Sequence, residues 1–90
     1  MLVLPAELTE AQAQACLGGL LPAVRAEAGN AVQADAAALQ HFDSSALAVL
    51  LECRREALKA GKTFAVKAMP ARLHTLATLY GVADLLPATA

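Results

Sequence analysis

Hydrophobic and polar positions along the chain follow two different periods in turn, which predicts alternating strands and helices. Residues 1–4 form a short apolar run that Pro5 stops, and this run predicts a first strand. Ala31–Asp35 is a second candidate strand, and Thr63–Lys67 is the clearest one because Thr, Phe and Val alternate along it. Helical spacing of apolar residues fills the segments between them. This alternation predicts an α/β fold with a largely parallel sheet.

Three segments carry helix start and stop signals. Thr9 and Gln12 have the spacing of a capping box, so a first helix is expected from Thr9 to a Gly-Asn end at residues 29–30, weakened or kinked by Pro22. A long central helix is expected over residues 44–60, capped by the preceding aspartate and ended by a glycine. A last helix is expected over residues 70–80, followed by a short apolar tail.

The central helix carries more apolar surface than one neighbour requires. At 100° per residue, one apolar stripe covers the sheet, and a second ridge lies beside it with Arg54 between the two. The apolar arc is about 200° wide, whereas a surface helix needs about 100° or somewhat more. The ridge therefore needs a second neighbour, which is either the last helix of this chain or a partner protein. The ridge consists of Leu47, Leu51 and Leu58.

The core should be aliphatic, because 58% of the residues are hydrophobic and only 3% are aromatic. Cys16 and Cys53 fall on apolar helix stripes and are expected to be small core residues rather than a disulfide or reactive thiols. We expect seven residues of the helix stripes and strands to be buried: Val49, Leu50, Cys53, Val66, Leu73, Leu76 and Ala77.

The charge pattern argues against a nucleic-acid partner. Seven Lys and Arg residues against eight Asp and Glu give a net charge of −1, and the basic residues alternate with acids. Nucleic-acid binders need a basic stripe and stacking aromatics. Lys62, Lys67 and Arg72 are expected to be solvated surface charges. No apolar run approaches the roughly 20 residues of a membrane span, and no signal peptide follows Met1. We expect one cytoplasmic domain over residues 1–90, without direct membrane insertion.

The sequence offers no convincing enzyme site. His41 and His74 lack Cys or carboxylate neighbours at metal-ligand spacing. A triad of His41, Asp43 and an adjacent serine would have poor geometry at a helix start, and no phosphate-binding glycine-rich loop is present. We therefore predict no catalytic residue, no cofactor and no metal. The isolated chain is expected to hydrolyse neither ATP nor esters.

One motif is more specific. Asp35 ends a predicted strand, a short loop follows, and the next helix begins with the run Asp43, Ser44, Ser45, Ala46, Leu47. This pattern resembles the signature of STAS domains, in which an Asp-Ser/Thr-Ser/Gly-Gly-Leu motif starts a helix. Residues 75–87 and the stretch from Leu4 to Thr9 are similar to the MlaB-type branch of that family, so the resemblance covers nearly the whole chain.

The resemblance implies a small STAS-like sandwich, with a mostly parallel sheet of three or four strands and helices packed mainly on one side. Two departures stand out. The N-terminal strand is expected to be truncated, because relatives begin about ten residues earlier, and Ala46 occupies a position where glycine is usual.

Two functions follow from the resemblance. MlaB-type proteins are non-catalytic regulatory subunits that bind the ATPase of the Mla ABC transporter, which moves phospholipid between the envelope membranes of Gram-negative bacteria. In that branch the hydroxyl after the motif aspartate, here Ser44, contacts the ATPase, and the subunit is peripheral to the inner membrane through its partner. Anti-sigma-factor antagonists are the alternative; there a partner kinase phosphorylates the following serine, here Ser45. A STAS interaction domain with neither partner is the third interpretation.

The expected partner-binding surface lies at the start of the central helix and along the last helix. Ser44 is expected at the margin of the leucine ridge, whereas Ser45 is expected to project toward the charged, solvated side. The predicted partner-binding residues are Asp43, Ser44, Ser45, Leu47, Leu51 and Leu79.

Overall fold

Strands and helices alternate along the chain in the computed structural model, which describes residues 1–89. The strands are β1 (Leu2–Val3), β2 (Glu7–Leu8), β3 (Ala31–Asp35), β4 (His41–Phe42), β5 (Thr63–Lys67) and β6 (Ala88–Thr89). The helices are α1 (Glu10–Ala26), α2 (Ser45–Lys59) and α3 (Ala71–Leu79), and a 3-10 turn covers Ala83–Leu85.

The main sheet has four strands in the order β1-β3-β5-β6, and every neighbouring pair is parallel. Each helix connects two adjacent strands, and each crossover moves in the same direction along the sheet. Because such crossovers are right-handed, all three helices lie on one face. The predicted parallel sheet with helices on one side is confirmed. The small pair β2-β4 is also parallel and lies outside the main sheet.

The core lies between the sheet and the helices, and the strands show which side chains enter it. In β3 and β5, buried residues alternate with more exposed ones, as the two-residue period of a strand requires. Val32 is paired with Phe64 and Ala34 with Val66, and these four side chains face the helices. The other sheet face is solvated; Val3, for example, is 66% exposed.

The expected burial is confirmed at six of the seven positions. Val49, Leu50, Cys53, Val66, Leu73 and Ala77 are each 0% exposed, so the register assigned to α2 is correct. Leu76 is only partly buried and packs against the edge of the core. Since α3 connects the last two strands, no further helix within residues 1–89 lies beyond it to cover a second row of its side chains.

The first helix and the cysteines also agree with most of what the sequence predicts. The Gln12 side-chain oxygen accepts the Thr9 backbone N–H at 2.9 Å, so the capping-box spacing has its expected effect. Helix α1 continues through Pro22 and ends at Ala26, before the expected Gly-Asn end. Cys16 is partly buried and Cys53 is buried, and both are free thiols. Burial, with smaller effects of Cys16 and Glu52, raises the pKa of Cys53 to about 12.

Lys62 is less solvated than expected, whereas Lys67 and Arg72 are exposed as expected. Lys62 is half-buried, and its ammonium donates hydrogen bonds to the Glu27 carbonyl and, at 3.1 Å, to the Val24 carbonyl. It therefore satisfies carbonyls at the C-terminal end of α1, where a positive charge is also favoured by the helix dipole. The Arg72 guanidinium lies 4.5 Å from the ring centre of Phe42, in a cation–π contact.

Replacing Lys62 by Met should lower the free energy of unfolding by about 1–3 kcal/mol, because the carbonyls of Val24 and Glu27 lose a charged donor. Lys59→Met is the matched control, since Lys59 is exposed. Urea unfolding of both variants measures the difference. Equal stability of the two variants would show that the capping bonds contribute nothing.

Candidate docking surface at the start of the central helix

The Asp43 carboxylate joins the N-terminal ends of two helices. One oxygen accepts the Ser45 N–H at 2.8 Å, in α2, and the other accepts the Glu10 N–H at 3.3 Å, in α1. Amides at helix starts lack partners within the helix, so this side chain satisfies one in each. The hydrogen bond from Ser45 is the main cause that lowers the pKa of Asp43. Asp43 thus holds the start of α2 against the start of α1.

The lowered pKa of Asp43 predicts a pH-dependent role in stability. A group whose pKa is lower in the folded state contributes stability above its ordinary value, near 3.9, and loses it as the pH falls through the folded value. Asp43→Asn should therefore melt below wild type at neutral pH, and the difference should shrink in acid. Asp84→Asn is the control, because Asp84 is an exposed aspartate of the 3-10 turn. A melting-temperature gap for Asp43→Asn that stays constant from pH 7 to strong acid would contradict this role.

The two serines of the motif have different surroundings. Ser44 is exposed, and its helical backbone angles place it on the first turn of α2. Ser45 is half-buried, and its backbone N–H donates the hydrogen bond that mainly lowers the pKa of Asp43. Ser45 is thus less solvated than the helix position alone indicated, because the Asp43 carboxylate turns toward it. Ser44 is the more accessible hydroxyl of the two.

Ser44 lies on the rim of a shallow apolar depression of about 290 Å³. The depression lies between the first two turns of α2 and the residues that follow α3. The lining residues are Ser44, Leu47, Ala48, Leu51, Tyr80 and Val82. Three predicted partner-binding residues, one from the motif and two from the leucine ridge, are therefore brought together on one small surface.

Tyr80 and Val82 were not among the predicted docking residues. Tyr80 is 62% exposed at the end of α3. Gly81, with φ of 72°, adopts the left-handed conformation that allows the chain to turn between them. An aromatic residue directly before a helix-ending glycine is the sequence signal that could have indicated them.

The leucines of the ridge and of the last helix differ in how much of each side chain is exposed. Leu47 is only 3% exposed, because its own chain covers it, and it contributes the floor of the depression. Leu51 is half-buried and Leu58 is 50% exposed, so this part of the ridge has no complete cover within residues 1–89. Leu79 is 76% exposed but does not line the depression. Leu47 is therefore covered by its own chain, whereas Leu51 and Leu58 leave open surface further along the ridge.

The surface around the depression consists of aliphatic carbon and hydroxyl groups. Within residues 1–89, no three side chains of the metal-binding types come together. In the same part of the chain, no helix combines the length and the apolar character needed to cross a bilayer. The accessible groups are the hydroxyls of Ser44 and Tyr80 around aliphatic carbon, which is the chemistry of a protein-binding patch.

Comparison with known families identifies the family of the chain. The family model described as "Mlab, STAS domain" matches residues 1–87. The chain belongs to this MlaB-like STAS family. The match includes the Asp43 motif, the depression and the turn after α3. A comparison with curated proteins found no significant match.

A solved structure supports the same architecture. The crystal structure of a candidate anti-sigma factor antagonist from Thermotoga maritima superposes with a TM-score of 0.78. The sequences are 15% identical, and the alignment covers 96% of this chain and 75% of the other. At this identity the likeness establishes the STAS fold, which spans nearly all of this chain.

Proposed function

We propose that this STAS domain is a non-catalytic regulatory subunit that binds the cytoplasmic ATPase of an Mla-type phospholipid ABC transporter. The observation that carries the proposal is the exposed Ser44 hydroxyl on the rim of an apolar depression. Ser44 occupies the motif position that the MlaB resemblance associates with ATPase contact. The description of the matching family fits this choice.

The surroundings of Ser44 have the composition of a protein interface. Tyr80, which lines the depression with Ser44, is 62% exposed, and Leu51 beside them is half-buried. Interface hot spots are enriched in tyrosine and in residues that line well-packed pockets. A partner that covers the depression would bury Tyr80, Leu51 and Ala48 around the Ser44 hydroxyl.

Under this proposal ATP is hydrolysed by the partner. The STAS domain contributes packing against the ATPase and holds the Ser44 hydroxyl in place through the Asp43 cap. Its place is then the cytoplasmic side of the inner membrane, to which it is peripheral through the transporter.

An anti-sigma-factor antagonist is the second candidate, because the superposed structure carries that description and Ser45 is present at the kinase-target position. The surroundings of Ser45 weigh against it. Ser45 is half-buried and its backbone N–H donates to the Asp43 carboxylate at 2.8 Å, so a phosphate on Ser45 would bring nearly two negative charges close to that carboxylate. Transfer by a kinase would require this helix start to open first.

Co-expression tests the two candidates directly. The chain is produced with the ATPase and permease of an Mla-type transporter from the same genome, and the complex is separated by size exclusion. We expect the chain to co-elute with the ATPase and to carry no phosphate by mass spectrometry. Failure to co-elute, together with stoichiometric phosphate on Ser45, would replace the transporter proposal with the antagonist one.

A further inference from the structure

We draw no further inference here: the strongest candidate, the groove of about 570 Å³ between α3 and β6 that His74, Thr75 and Thr89 line together with apolar neighbours, lies open at the β6 edge of the sheet, and nothing in the structure shows what covers it.

Discussion

Ser44→Glu should weaken binding to the transporter ATPase by at least about a hundredfold, which corresponds to about 3 kcal/mol. The new carboxylate would lie on the rim of the depression, against Leu51 and Tyr80, where a docked partner excludes water. A charge taken out of water without a partner carries a penalty of several kcal/mol. The fold itself should persist, because an acidic residue at a helix N-terminus is favourable. Calorimetry with purified ATPase measures the loss, and circular dichroism confirms folding.

Ser45→Ala is the matched control for this change. Ser45 is half-buried beside Asp43 and does not line the depression, so its truncation should alter ATPase affinity only slightly. The antagonist interpretation reverses the order: Ser45→Ala would then abolish switching, and Ser45→Asp would mimic the phosphorylated, released form. Full ATPase binding by Ser44→Glu would therefore contradict the transporter proposal.

The central helix was predictable within one residue at each end because its signals are local. Apolar residues at helical spacing fix its face, Asp43 supplies the cap, and Gly61 has the positive φ, 76°, that commonly ends a helix. Strands β3 and β5 were predicted with the correct bounds for a similar reason. Both strands lie in the middle of the sheet, where one face is buried and the alternation of side chains is strong.

Of the four two-residue strands within residues 1–89, only β1 was predicted, from the apolar run of residues 1–4, because two residues are too few to show a period. Strand β2 (Glu7–Leu8) pairs with β4 (His41–Phe42), although α1 and β3 separate the two in the sequence. No local sequence signal predicts either strand. Ala88–Thr89 becomes a strand because β5 offers it a free edge. Backbone groups at such positions pair because the surrounding structure places them together, which a single sequence does not reveal.

Part of the docking surface could likewise be predicted from local sequence, whereas the rest depends on contacts between residues far apart in the chain. The motif indicated Asp43 and Ser44, and helical spacing indicated Leu51. The bond from the Asp43 carboxylate to Glu10, and the approach of Tyr80 to Ser44, join residues far apart in the chain. Equally, the burial of Leu47 depends on how closely the chain after α3 approaches α2, which side-chain period alone does not determine.

The prediction with the largest effect on stability concerns Leu50, one of the largest fully buried side chains. Leu50→Ala should lower the free energy of unfolding by about 2–5 kcal/mol, through lost apolar contact and the cavity that remains. Domains of this kind are stable by only about 5–15 kcal/mol, so the loss would be a large fraction of the total. Urea unfolding at neutral pH provides the measurement.

Leu58→Ala in the same helix is the matched control for Leu50→Ala. Leu58 is 50% exposed, so its truncation should cost well under about 1 kcal/mol of stability. Leu50 lies beneath α2 among the buried core residues, so only its truncation leaves a cavity. If Leu50→Ala were no less stable than Leu58→Ala, the core of the domain could not be packed around this face of α2.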